Sequence, residues 1–262
     1  LDDHLNANAK ALGVDNSVGQ AGADSTSFTA IMHNVMDQSL LSRKAGQMAD
    51  EAIASLERGE KPILTVSNTM GRFIEHYAED NNIAPGDAFE ANFGDIMMRY
   101  LERSRDVLEK EYDGTKTRRR LSDEELGPDA VQEYEAAKAL IVQTDLDFPV
   151  SPIDHIKQRV EAAGYEFGEI TGRKARLDYD SEGHATYQRR SSRQTSKAGK
   201  VRATDRFNGG QSDVLLLNRS GATGISLHAS EKFADQRRRH MIVGQAERNV
   251  NDFMQTLGRA HR

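Results

Sequence analysis

Two arginines spaced three residues apart lie at the end of the sequence, in the segment QTLGRAHR. Gln255, Arg259 and Arg262 supply polar groups there, and Gly258 permits a close backbone approach. Residues three apart share one face of a helix, so both guanidiniums can point the same way. Because a guanidinium is always charged and offers rigid, paired donors, it can stabilise the charge that develops on a phosphoryl group during transfer. The alternative is that the two arginines only complement the dipole at a helix C-terminus.

A second segment of small and polar residues follows the apolar run LLL further upstream. It reads NRSGATGISLHA and contains a turn with Thr223 and Gly224. Together the two segments resemble the last two signature motifs of superfamily 2 helicases and translocases, and the pattern Q-x-x-G-R-x-x-R is met at every specified position. With EITGRK upstream of both, the sequence resembles the strawberry-notch type of helicase C-terminal domain.

The resemblance covers roughly residues 40–75 and 150–262 and implies a RecA-like C-terminal motor lobe. It implies ATP with Mg²⁺ as the cofactor, the metal being held by a second, N-terminal RecA-like lobe of the same protein. The catalytic residues that it implies are Gln255, Arg259 and Arg262, and the nucleotide-binding residues are Gly224, Ser226 and Gly258. Ser226 stands where relatives place Asp or Asn, which weakens the expected ribose contact.

The same resemblance implies contacts to nucleic acid, which are Ser67, Asn68, Thr171, Arg173, Asn218, Arg219 and Thr223. Asn218 stands where many relatives have a phosphate-contacting Thr. Ser67 and Asn68 follow a short apolar strand and precede a helix, whose N-terminus can hold a phosphate; ordinary helix capping is the alternative. None of these groups reads base edges in an obvious way, so binding is expected to be mostly sequence-independent and salt-sensitive.

The phosphate-gripping half of such a motor has no counterpart in the sequence. No G-x-x-x-x-G-K-[ST] pattern occurs, and Gly199-Lys200-Val201 lacks the hydroxyl that would hold magnesium. The acidic run 123–125 lies in a polar stretch and is expected to open or cap a helix. Both ends are therefore expected to continue into a longer protein, and the 262-residue chain alone is expected to be inactive.

Composition limits the class of protein. The chain has 37% apolar and 29% charged residues, no apolar run long enough to span a membrane, no signal-peptide pattern and no cysteine. The absence of cysteine excludes disulfides and thiolate zinc sites and agrees with a reducing compartment. We expect the cytoplasm of a bacterial or phage-infected cell, without secretion or membrane association. The histidine spacings give no i, i+4 pair, so no metal site is predicted.

Charge is unevenly distributed along the chain. Residues 173–206 contain ten Lys or Arg and four Asp or Glu, a local charge of +6 against −6 for the whole chain. A basic segment on an acidic chain indicates one localised surface for a polyanion. A solvated, mobile loop is the alternative.

Apolar periodicity predicts an α/β fold. We expect a connector over residues 1–39, with a loop over 1–28, and a RecA-like lobe over 40–81 and 148–262, with a helical insertion over 82–147. The predicted strands are 62–66, 165–170, 214–217 and 239–243, and the main helices of the lobe lie near 39–57, 70–77, 151–160, 195–207 and 249–257. Strands that alternate with helices predict a parallel sheet covered on both faces, with the motifs converging at the carboxyl edge.

These observations favour the C-terminal motor lobe of an ATP-dependent DNA helicase or translocase. Two alternatives stay open. One is a non-catalytic nucleic-acid-binding or scaffold module that keeps a helicase-like fold. The other is the motor part of a phage or bacterial multidomain protein that acts in defence or anti-restriction.

Overall fold

The computed structural model describes residues 21–67, 69–110, 116–144, 146, 148–218, 221, 224–246 and 249–260. The helices are α1 (Ala21–Glu57), α2 (Gly71–Asp80), α3 (Phe93–Arg103), α4 (Asp123–Leu126), α5 (Pro128–Gln143), α6 (Pro152–Ala162), α7 (Ser192–Thr195), α8 (Lys197–Asn208) and α9 (Val250–Leu257). The strands are β1 (Lys61–Val66), β2 (Asp106–Lys110), β3 (Lys116–Arg120), β4 (Phe167–Ile170), β5 (Ala175–Tyr179), β6 (Ala185–Arg189), β7 (Val214–Asn218) and β8 (Arg239–Val243). Within this described part, no helix combines the length and apolar character that a membrane span requires.

The elements divide into two compact units. The sheet unit comprises the described parts of Leu40–Glu90 and Pro149–Arg262. The hairpin unit comprises the described residues up to Ser39 together with Ala91–Phe148. The loop expected over residues 1–28 is wrong from Ala21 onward, where α1 already begins. No proline interrupts the chain between Ala21 and the amphipathic part of α1, so the helix extends upstream.

Four parallel strands in the order β4–β7–β1–β8 form the sheet of the sheet unit. In the register, Leu64 of β1 lies opposite Leu216 on one side and Ile242 on the other. The predicted α/β class with a parallel sheet flanked by helices is confirmed, and it is consistent with a RecA-like fold. The small antiparallel pair β5–β6 turns at residues 180–184.

Alternate residues along the strands pack into two separate core layers. Leu64 and Leu216 join the layer that contains Ile156 of α6 and the apolar face of α1. Ile63 and Leu215 face the opposite way and join Phe207 of α8. Each fully buried aliphatic side chain contributes about 1.5–3 kcal/mol relative to exposure. The sheet is therefore covered on both faces, and polar groups collect at the ends of its strands.

The hairpin unit departs from the expected all-helical insertion. The sequence predicts a helix through Val107 followed by a polar link, but α3 ends at Arg103 and β2 pairs antiparallel with β3. Val107 is β-branched and packs against the apolar cluster Leu121, Leu126 and Ala130, which favours an extended strand. The acidic run 123–125 opens α4 as predicted, with Ser122 as its cap.

Candidate functional site

The carboxyl ends of the parallel strands bring several predicted polar residues to one edge of the sheet. Ser67 follows β1, Thr171 follows β4, and Asn218 ends β7. The Ser67 hydroxyl lies 3.1 Å from Oε1 of Gln245, which follows β8, and donates a hydrogen bond to it. Ser67 is not the cap of α2, because the N-cap of that helix is Met70, whose side chain makes no capping hydrogen bond.

The turn after β7 packs tightly on the end of β4. Oδ1 of Asn218 accepts a hydrogen bond of 3.0 Å from the backbone N–H of Gly221. A Cβ at position 221 would lie 2.0 Å from the carbonyl oxygen of Ile170, so only glycine fits there. Asn218 thus shapes the turn through its side-chain oxygen.

Arg259 ties the C-terminal end of α9 to the next part of the same turn. Its Nη1 donates to the carbonyl of Ile225 at 3.3 Å, and its own carbonyl accepts from the N–H of Leu227 at 3.0 Å. Gly224 has φ +76°, a conformation that favours glycine. These contacts bring the implied nucleotide-binding residues Gly224, Ser226 and Gly258 close to Arg259. All three are exposed.

The surroundings of Arg259 are electropositive. Arg259 is half-buried, and no carboxylate of the described residues pairs with it. In α8, burial and, second, the positive charge of Arg259 hold the pKa of Lys200 below its ordinary value. An anion bound between the two would relieve this repulsion.

Two other predicted residues of this region point to solvent. Gln255 is exposed on α9, one turn before Arg259. The Ser226 hydroxyl lies 2.6 Å from Nδ1 of His228, and the Ser226 carbonyl accepts from the side-chain amide of Asn208 at 3.0 Å. The remaining predicted residues Asn68, Arg219, Thr223 and Arg262 lie outside the described residues.

Arg173 occupies a different environment from the one expected of a nucleic-acid contact. Its side chain is 1% exposed and forms two hydrogen bonds of 2.6 Å to the carboxylate of Asp154 and two of 2.7 Å to that of Glu169. A guanidinium paired with two buried carboxylates has no open direction for a phosphate. This burial does not suit the contact with the nucleic-acid backbone that is expected of Arg173, whose side chain here positions the loop that follows β4.

Thr171 and Arg190 belong to the same buried network. Nη1 of Arg190 donates to Oε1 of Glu169 at 2.8 Å, to the hydroxyl of Thr171 at 2.9 Å and to the carbonyl of Arg173 at 3.2 Å. The Thr171 hydroxyl in turn donates to Glu169. The hydroxyl of Thr171 is thus engaged inside the protein, in hydrogen bonds with Glu169 and Arg190.

Electrostatics within the network favour the ionised carboxylate. Burial alone would raise the pKa of Glu169, but the charges and hydrogen bonds of Arg173 and Arg190 outweigh it and lower the pKa to about 2. Conversely, burial opposes the charged form of Arg173, and Asp154 and Glu169 raise its pKa well above the ordinary value. Two arginines and two carboxylates therefore neutralise one another.

Asp154 and Glu169 are the residues of this region that the sequence-based assignment misses. In the sequence, Asp154 is an acidic residue in the first turn of a predicted helix, a common position that indicates no further role. In the structure, the Ser151 hydroxyl caps α6 and donates a hydrogen bond of 2.6 Å to the Asp154 carboxylate. The i, i+4 spacing of Glu169 and Arg173 is a sequence signal for an ion pair. The link from Asp154 to Arg173 crosses 19 residues and has no local signature.

The parallel sheet, the two core layers and the turns at the carboxyl edge form an α/β domain that is consistent with a RecA-like fold. Residues 151–262 match the family described as "C-terminal domain on Strawberry notch homologue". This match, which covers fewer than half of the residues, confirms the resemblance to strawberry-notch-type helicase C-terminal domains found in the sequence.

Curated relatives agree with this assignment. Protein FORGETTER 1 of Arabidopsis thaliana is 28% identical over 136 residues, which cover 49% of this chain and 10% of that protein. Protein strawberry notch homolog 1 of Homo sapiens is 28% identical over 118 residues, 44% of this chain and 8% of the relative. Protein strawberry notch of Drosophila melanogaster is 28% identical over 95 residues, 36% of this chain and 6% of the relative. The matched part thus spans about a tenth or less of these relatives, and no solved structure matches the chain.

Proposed function

We propose that this chain is the C-terminal motor lobe of an ATP-dependent DNA helicase or translocase. In this proposal Arg259 and Arg262 act as arginine fingers on the transferring phosphoryl group, and Gln255 is the third catalytic residue. Gly224, Ser226 and Gly258 approach the nucleotide.

One observation carries the proposal. Arg259 is hydrogen-bonded to the turn 225–227 through both its side chain and its main chain, while no carboxylate of the described part neutralises it. A guanidinium that is held in place without a counter-ion can stabilise the negative charge of a bound ligand without first rearranging. The pKa of the neighbouring Lys200 is lowered first by burial and second by the positive charge of Arg259, and the second cause agrees with this interpretation.

A second lobe is part of the proposal. The sequence contains no phosphate-gripping lysine motif of the G-x-x-x-x-G-K-[ST] type. A partner lobe of the same protein therefore supplies that motif and the acid that holds Mg²⁺. In the proposal, DNA binds mostly through its phosphates, and the contacts are Ser67, Asn68, Asn218, Arg219 and Thr223.

Turnover in the two-lobed protein tests the proposal. We expect Arg262→Ala to lower kcat for DNA-stimulated ATP hydrolysis by about a hundredfold or more, on the order of 3 kcal/mol. Thermal stability and DNA affinity should change little. Arg262→Lys should rescue poorly, because an ammonium cannot reproduce the guanidinium fork. Normal turnover in the folded Arg262→Ala protein would contradict the role of Arg262 as an arginine finger. It would favour the alternative that the chain is a non-catalytic scaffold module.

A further inference from the structure

A strongly basic cavity of about 370 Å³ lies beside β4, the edge strand of the sheet. Its wall includes Asp154 and Lys157 of α6 and Arg202 and Arg206 of α8. Because α6 and α8 pack on opposite faces of the sheet, the cavity spans the outer side of β4. Seven cationic side chains and two carboxylates line it, and it shares no lining residue with the Arg259 region.

The charges of the cavity floor are already compensated. Asp154 and Glu169, the two lining carboxylates, are held by Arg173 and Arg190 in the buried network described above. The carboxylates are thus unavailable to the other cations of the wall. The excess positive charge belongs to the rim.

Arg193 and Arg202 form the rim without an acidic partner. Both are exposed, and among the described residues no carboxylate pairs with either. Nη2 of Arg202 donates to the main-chain carbonyl of Arg193, which fixes the two positions relative to each other. A Cβ at Gly199 would lie 2.3 Å from the same carbonyl, so glycine allows α7 and α8 to approach this closely.

Arg176 pairs with Asp178 at 3.0 Å, whereas the two remaining cations of the wall are only weakly engaged. Arg206 lies 3.5 Å from Glu166, and both side chains are more than half exposed. Lys157 lies 3.9 Å from Glu161. Exposed pairs of this kind contribute about 0–1 kcal/mol, so a competing anion displaces them at little cost.

We propose that this cavity binds nucleotide phosphates. Guanidinium forks match phosphate oxygens in bidentate geometry, and two of them stand at the rim. The volume lies in the range of small-molecule sites and exceeds the need of a single phosphate group, and Phe167 and Ala203 add apolar wall. The ligand chemistry is the same for a nucleic-acid strand and for a free nucleotide, and the experiment separates the two sources.

Binding to the 262-residue chain tests the assignment at equilibrium. One probe is a fluorescently labelled single-stranded oligothymidylate, and the other is ATP. Arg193→Ala/Arg202→Ala is compared with Lys232→Ala/Arg238→Ala, a control that removes the same charge from exposed positions outside the cavity. We expect the rim variant to weaken binding about tenfold or more and the control to weaken it about twofold or less. If the strand is the ligand, the salt slope should fall by about 1.4 for two lost phosphate contacts.

Amide NMR shifts locate the ligand independently of the variants. Shifts at Gly168 and Gly199 on addition of the oligothymidylate identify a strand, and shifts there on addition of ATP identify a free nucleotide; either supports the proposal. It is overturned if neither probe shifts these amides, or if both double variants, shown to be folded by circular dichroism, bind alike. Because no turnover is measured, failure here leaves the arginine-finger proposal standing.

Discussion

Arg173 and Asp154 face each other through two hydrogen bonds of 2.6 Å, with side chains only 1% and 2% exposed. The pair joins the first turn of α6 to the loop after β4. Glu169 and Arg190 complete the network, so the loop at this end of the sheet is held by charge rather than by apolar packing. Arg173, one of the residues expected from the sequence to contact nucleic acid, thus stabilises the fold instead.

Arg173→Ala should therefore destabilise the sheet unit strongly. It leaves two buried carboxylates without their main partner, and breaking a buried pair in this way costs about 3–5 kcal/mol. Urea unfolding measures the change. Arg58→Ala is the matched control, because Arg58 also contacts two carboxylates, those of Glu51 and Glu60, but is half exposed. We expect a much smaller cost for the control, because solvent screens its exposed ion pairs, and equal costs would contradict a structural role for the network.

The stability of the chain should depend on pH through Glu169. Its pKa is lowered from 4.5 to about 2 in the folded state, so its contribution is complete above the unfolded-state value and is lost as the pH falls from about 4.5 toward 2. The amount lost is on the order of 3 kcal/mol. Urea unfolding between neutral pH and about pH 3 should show a weaker decline for Glu169→Gln than for the parent. Glu182→Gln, at an exposed position, should leave the parent profile unchanged.

Arg259→Ala should impair turnover of the two-lobed protein without unfolding it. The side chain contributes one long hydrogen bond to the turn, whereas the main-chain bond between residues 227 and 259 stays in place. We expect kcat to fall about a hundredfold, with the melting temperature nearly unchanged. Arg238→Ala is the control. Arg238 is exposed and precedes β8, so it lies at the amino end of that strand and not at the carboxyl edge that holds the site. A large loss of stability with normal turnover of the folded fraction would make Arg259 structural.

Gly221→Ala should disturb the turn after β7 more than Gly224→Ala does. At position 221 a Cβ would meet the carbonyl of Ile170 at 2.0 Å, so the turn or β4 must move, at a cost of about 1–3 kcal/mol or more. At position 224 the space is open and only the positive φ opposes alanine, at about 1–2 kcal/mol. Thermal unfolding of both variants gives the comparison. A smaller loss of stability for Gly221→Ala than for Gly224→Ala would show that β4 shifts easily to make room for the added Cβ.

The 262-residue chain alone should hydrolyse ATP negligibly. Arginine fingers stabilise a transition state that other groups must first assemble, and the sequence offers no phosphate-gripping lysine motif. A phosphate-release assay with and without single-stranded DNA measures this directly. Robust DNA-stimulated turnover by this chain would refute the two-lobe proposal.

The sequence predicts the sheet well because its strands are apolar runs bounded by polar turns. The runs around Leu64 and Leu216 are short and uninterrupted, which is typical of strands buried on both faces. The hairpin β2–β3 is missed because Val107 continues the apolar spacing of α3. Val107 is in a strand because it packs against Leu121 and Leu126, which follow β3, and the sequence spacing does not reveal this contact.

The functional region is predictable only where its groups are local. The turn around Gly224 and the arginine pattern near Arg259 are contiguous motifs, so a sequence pattern is enough to find both. Arg173 shows the limit, since an exposed and a buried arginine look alike in a sequence. Its partner Asp154 is set by the packing of α6 against β4 and β5, which no spacing rule supplies.

The central strand of the sheet is translated long before its neighbours. Lys61–Val66 is buried along its entire length, yet β7 and β8, which pair with its two edges, lie beyond residue 213. During synthesis the backbone N–H and C=O groups on both edges of this strand stay unpaired until most of the chain has been translated. Such non-local pairing slows folding, and an open apolar strand recruits other chains. A nascent chain that stops before Val243 carries an unfinished edge at the centre of its core, a state that favours aggregation over folding.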